Sequence, residues 1–130
     1  MEELYNTACL AREKSYSPYS SISVGAALLA KSGKVYIGAN IENSAFSPTV
    51  CAERVAFFSA ISAGEREFVA IAVAGGKSAE PAESHFPPCG VCRQVMAEFC
   101  TEDFKIVLSK DRAVKLSELL PLGFGRDFVK

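Results

Sequence analysis

Along the first fourteen residues, Leu4, Ala8 and Ala11 recur at helical spacing, while Glu2, Glu3, Arg12, Glu13 and Lys14 supply the polar positions. This pattern predicts an amphipathic helix over 2–14 that stops before Ser15-Tyr16-Ser17-Pro18. Two short apolar runs, Val24 to Leu29 and Val35 to Asn40, flank the polar turn Lys31-Ser32-Gly33-Lys34 and predict an antiparallel hairpin. A second helix should begin at Val50 or Cys51 and end at Gly64, since glycine readily takes the left-handed conformation that closes helices. Val55, Ala56, Phe57, Phe58, Ala60 and Ile61 leave that helix little polar surface. One side should therefore meet a sheet and the other should be covered by something else, most simply a second copy of the chain.

Val69 to Ala74 is an uninterrupted apolar run, as in strands buried on both faces, and the helix before it implies a parallel crossover to an earlier strand. After a loop over 75–88 rich in Gly, Ser and Pro, a third helix is expected from Gly90 to Phe99 and a strand from Lys105 to Ser109. Only Lys110-Asp111-Arg112 separates that strand from Ala113-Val114-Lys115, too little for a crossover, so the last two strands should pair antiparallel. A short helix near Ser117 to Leu120 ends at Pro121. The order α-β-β-α-β-α-β-β predicts an α/β fold of three layers, α/β/α, around a five-stranded mixed sheet.

Composition narrows the function classes. A chain of 130 residues suits one domain, 1–130, and 49% apolar residues suffice to fill its core. Fourteen Lys+Arg against fifteen Asp+Glu leave a net charge of -1 without long runs of like charge, which argues against nucleic acid and anionic membranes as partners. No stretch approaches the roughly 18 apolar residues that cross a bilayer, and the N-terminus lacks the basic and apolar regions of an export signal, so a cytoplasmic location is expected. In that setting five cysteines are expected to bind metal or stay reduced.

Their spacing decides which. Pro88-Cys89-Gly90-Val91-Cys92 puts two thiols three residues apart at a helix start, where both reach one ion. A shuffled chain of this composition would contain P-C-x-x-C only about 0.01 times, so chance is a weak account of it. Cys51-Ala52-Glu53 means little by itself, but Cys51 also opens a helix. Two helix N-termini can thus gather three thiolates, which their free N–H groups and positive dipole ends favour. Three protein ligands leave zinc's fourth position to water, the arrangement of a catalytic site. Glu53, two residues beyond one ligand, can shuttle a proton from that water to a leaving group, and Arg54 can offset the thiolate charge through hydrogen bonds to sulfur. A closed structural site is the alternative: His85, the sole histidine, precedes Cys89 by four residues and can serve as a fourth ligand.

Asn40-Ile41-Glu42-Asn43, Cys51-Ala52-Glu53-Arg54 and Pro88-Cys89-Gly90-Val91-Cys92-Arg93-Gln94-Val95-Met96 resemble the small zinc-dependent cytidine/deoxycytidine deaminases of nucleoside salvage. Pro18-Tyr19-Ser20, Val24-Gly25-Ala26-Ala27-Leu28, Glu118-Leu119-Leu120-Pro121 and Phe124-Gly125 extend the resemblance over nearly the whole chain. It implies a cytidine-deaminase-like fold and one Zn²⁺ per chain on Cys51, Cys89 and Cys92. It also implies that Glu53 protonates the pyrimidine N3 and then the departing ammonia, as water converts cytidine and 2′-deoxycytidine to uridine and 2′-deoxyuridine. Asn40 and Glu42 are similar to the family's sugar-binding pair, on alternate residues that share a face. Ala52 and Phe124 are carried over as substrate contacts, with Phe124 reaching a neighbour's pocket in a homotetramer whose subunits share active sites. Two positions depart from the pattern. Ile22 stands where an aromatic residue stacks near the base, and Phe46 stands where a tyrosine is usual. Deamination of another aminopyrimidine nucleoside, of the blasticidin type, and a non-catalytic zinc-stabilised module therefore remain as alternative readings.

Overall fold

The computed structural model describes residues 1–83 and 85–129. In chain order the elements are α1 (Glu2–Ala11), β1 (Ile22–Ala30), β2 (Val35–Ala39), α2 (Ala52–Ser62), β3 (Phe68–Lys77), α3 (Gly90–Phe99), β4 (Lys105–Ser109), β5 (Arg112–Lys115) and α4 (Leu116–Leu119). Single turns of 3₁₀ helix at Arg12–Lys14 and Arg126–Phe128 complete the list. The five strands form one mixed sheet in the order β2-β1-β3-β4-β5. The predicted hairpin, the central place of the third strand and the antiparallel final pair are all present.

The parallel pairing expected for the third strand is corrected. β3 hydrogen-bonds antiparallel to β1, from Ile22↔Lys77 to Ala30↔Phe68, and its parallel neighbour is the later β4. It does run in the same direction as β2, as a helical crossover requires. In the hairpin, however, β2 occupies one flank of β1, so the returning chain lands on the other flank, against a strand of opposite sense. β3 also extends past Ala74 to Lys77, taking in Gly75 and Gly76 that the sequence assigns to the loop.

Alternation along the strands divides the core between two faces. Val24, Ala26 and Leu28 of β1, with Ile71 and Val73 of β3, face α2 and α3. Ala27, Ala72 and Ala74, with Val107 of β4, face Tyr5 and Ala8 of α1. Phe57 of α2 is fully buried at the centre of the larger face, with the rings of Phe68, Phe99 and Phe104 centred 5.2, 6.4 and 6.0 Å away. Gly38 sets how closely α2 sits on the sheet: a Cβ there would lie 2.6 Å from the Ala56 nitrogen and closer still to the Ala52 carbonyl oxygen. The absent side chain lets the first turn of α2, with Cys51 just ahead of it, press onto β2. Away from the sheet, α2 is open in the single chain, where Phe58 and Ser59 are exposed.

Candidate active site

Cys51 is the N-cap of α2, Cys89 is the N-cap of α3, and Cys92 lies in the first turn of α3. Both N-caps have extended backbones, and neither side chain caps its own helix, so the sulfurs turn toward one another. The Sγ atoms of Cys51 and Cys89 are 3.6 Å apart, those of Cys89 and Cys92 are 3.5 Å apart, and all three lie within 4.8 Å of one another. A tetrahedral zinc ion with Zn–S bonds of about 2.3 Å spaces its sulfurs about 3.8 Å apart. The donor set and its spacing therefore fit zinc held at three corners.

Arg54 Nη2 donates to Cys51 Sγ at 3.3 Å, while its Nε is buried without a partner among the described residues. The hydrogen bond from Cys92, aided by Arg54, brings the Cys51 thiol down to about 5, and the same bond pushes the Cys92 thiol up. A cation bound by these sulfurs would displace their protons.

Glu53 is the buried charged residue of the described chain, only 3% exposed in the first turn of α2. Burial pushes its carboxyl up to about 7, with the Cys51 charge adding to the rise and its own backbone N–H and Arg54 opposing it. A carboxyl poised in that range can both take and give a proton near neutral pH. Ala52, which precedes it, is fully buried.

His85 is not part of the sulfur group. Its Nε2 lies 3.3 Å from Arg112 Nη1, so the geometry does not support the closed four-ligand alternative.

Asn40 and Glu42 sit just beyond β2, where the chain is tied to the segment after α1: Tyr16 N–H donates to the Asn40 carbonyl and Glu42 N–H to the Tyr16 carbonyl. The Asn40 side chain is largely committed within the protein. Its Oδ1 accepts from Ser15 Oγ at 2.6 Å and Val24 N–H at 2.9 Å, and its Nδ2 donates to the Ile22 carbonyl at 2.8 Å. One amide hydrogen is left over. Glu42 borders a hollow of about 360 Å³ lined by Tyr19, Ser20, Glu42, Asn43, Phe46 and Thr49.

Phe46 is thus brought to Glu42, with 85% of its surface exposed. Ile22, at the start of β1, borders a second hollow of about 350 Å³ together with Phe86, while Ser20 lines both. Phe124 stands apart: Gln94 of α3 donates to its carbonyl, and its exposed ring stacks on Phe128 at 5.6 Å.

Two contributors escaped the sequence reading. Phe86 packs on the core cluster that Cys51 and Cys92 join and presses its ring onto Gly75, where a Cβ would lie 2.5 Å away. The other is Ser20, whose hydroxyl donates to Glu42. Its only signal was its place beside Pro18-Tyr19, and spacing alone gives no reason to pair it with a residue on another segment.

Residues 1–108 match the family model described as the cytidine and deoxycytidylate deaminase zinc-binding region. The chain belongs to this family. Within the deaminase family it is 45% identical to a cytidine deaminase of Sporosarcina psychrophila over 98% of this chain and 93% of that one. It is 49% identical to a cytidine deaminase of Halalkalibacterium halodurans over 93% and 91%. The crystal structure of a cytidine deaminase from Burkholderia pseudomallei superposes with a TM-score of 0.85 at 44% identity, covering 94% of this chain and 97% of that one. The family match takes in all three cysteines, Glu53 and the Asn40–Glu42 segment.

Proposed function

We propose that this protein catalyses the hydrolytic deamination of cytidine and 2′-deoxycytidine to uridine and 2′-deoxyuridine with release of ammonia, serving pyrimidine salvage in the cytoplasm. The observation that carries this reading is the convergence of three sulfurs at two helix N-termini, with Glu53 buried in the first turn of the helix that Cys51 caps. Cys51, Cys89 and Cys92 would hold one zinc ion per chain, which when bound makes water acidic enough to attack near neutral pH.

Glu53 takes the proton of the attacking water and passes it to N3 of the pyrimidine as oxygen bonds to C4. It then carries the remaining hydroxyl proton to the amino group, the C4–N bond breaks, and ammonia leaves. Arg54 withdraws charge from Cys51 through its hydrogen bond to sulfur. Ala52 contacts the base from the start of α2, and Asn40 and Glu42 hold the sugar. Ile22 and Phe46 form apolar walls in place of stacking and hydroxyl contacts.

The exposed rings of Phe46, Phe58 and Phe124 support a homotetramer in which Phe124 completes a neighbour's site. The whole chain acts as one domain. Ile22 and Phe46 also favour a second reading within the same chemistry, deamination of another aminopyrimidine nucleoside of the blasticidin type.

The test is ammonia release from cytidine, 2′-deoxycytidine and such analogues, with metal analysis of the same sample. Turnover of the first two with one zinc per chain supports the proposal, and turnover of the analogues alone favours the second reading. One zinc per chain with no ammonia from any cytosine compound would mark a non-catalytic module and overturn both.

A further inference from the structure

We propose that Ser20 is a positioning residue for sugar recognition, its hydroxyl holding the Glu42 carboxylate so that one acceptor position is left for a sugar hydroxyl. The inference rests on the deaminase reading above and deepens its sugar end. Glu42 Oε1 accepts from the N–H groups of Tyr19 at 2.9 Å and Ser20 at 3.2 Å, and Oε2 accepts from the Ser20 hydroxyl. A carboxylate offers about four acceptor positions, so three are filled from one turn and the vacancy is on Oε2.

The Ser20 hydroxyl has no freedom to do otherwise. It has a single proton, given to Glu42, while its oxygen accepts from Ile22 N–H at 3.1 Å. The turn is closed by the Ser21 N–H bond to the Ser17 carbonyl at 3.1 Å, with Ser21 at φ 59 in the left-handed region that non-glycine residues rarely occupy. These bonds also hold Glu42 ionised, with the Ser20 hydroxyl the chief cause of its lowered affinity for a proton.

The ligand chemistry follows from what is left over. Glu42 retains one acceptor position and borders a hollow, so it suits a group that donates a hydrogen bond, as a sugar hydroxyl does. Ser20 lines both hollows, and its bond to Ile22 N–H links the Glu42 corner to the hollow shared by Ile22 and Phe86. The residue that aims the carboxylate thus lies on the rim between the two hollows.

The test compares kcat and KM for cytidine and for 2′,3′-dideoxycytidine, which lacks the sugar hydroxyls at those positions. The wild type should prefer cytidine. Ser20→Ala should reduce that preference about tenfold, chiefly through the KM for cytidine, as loss of a hydrogen bond to a charged group predicts. Ser20→Thr, which keeps the hydroxyl, should restore it. Ser20→Cys nearly preserves volume but donates weakly, so it should behave as Ser20→Ala and gives the same reading if the alanine variant does not fold.

An unchanged preference in both variants overturns the role of Ser20, as does an equal loss on both substrates, which would mark a structural defect. Glu42→Gln separates the premise from the inference. If it abolishes the preference while Ser20→Ala and Ser20→Cys retain it, only the role of Ser20 falls. If Glu42→Gln also leaves the preference intact, Glu42 does not read the sugar and the inference falls with that assignment. No ammonia from cytidine in the wild type removes the deaminase reading itself.

Discussion

A carboxyl group and a carboxamide have nearly the same shape, so Glu53→Gln leaves the packing of α2 intact and removes only the capacity to accept and return a proton. The expected outcome is unchanged zinc content with turnover lowered by about 10² to 10⁴, measured by ammonia release and metal analysis on one sample. Retained turnover would exclude the proton shuttle. His85→Ala tests the opposite assignment: with His85 against Arg112, the variant should bind one zinc per chain as the wild type does. At this scale the sequence shows the cysteines and Glu53 plainly, because motif spacing and helix starts place them. The Ser20–Glu42 bond was hidden because it joins two irregular segments whose meeting depends on the bridge between Tyr16 and Ile41.

Among the elements, Gly38 has the clearest consequence. Gly38→Ala would drive a methyl group into the backbone of α2 at Ala52 and Ala56, so the helix must lift from β2. A loss of about 1–3 kcal/mol in urea unfolding is expected. Zinc affinity should weaken with it in chelator competition, because Cys51 moves with the helix start. A stability loss with unaltered zinc affinity would show that α2 can shift without moving the ligand. Helix and strand positions were largely legible from periodicity: α3 and β4 match their expected ranges residue for residue. The pairing of β3 was not, because an apolar run reveals burial on both faces but carries no information on which flank of a hairpin it joins. The extension of β3 through Gly75 and Gly76 was hidden too, since glycine ordinarily marks a loop and here makes room for the Phe86 ring.

For the whole molecule, the sulfur cluster ties together two helices that otherwise belong to different parts of the chain: α2 follows the hairpin, and α3 follows the central strand. A zinc ion at 1,000 times its dissociation constant would add about 4 kcal/mol to stability, seen as a rise in Tm over the chelated protein. The insertion of β3 between β1 and β4 determines where that energy enters the kinetics. The pairing of Ile22 with Lys77 spans the intervening β2 and α2, and the thiols of α3 follow it in the chain. Such distant pairing is slow to form, and the ion's seat is complete only once it has. Zinc should therefore slow the escape of the native chain in denaturant jumps by roughly the full stability gain and leave the rate of return almost unaltered. On that account the metal acts as a latch closed at the end of folding, not as a nucleus that starts it.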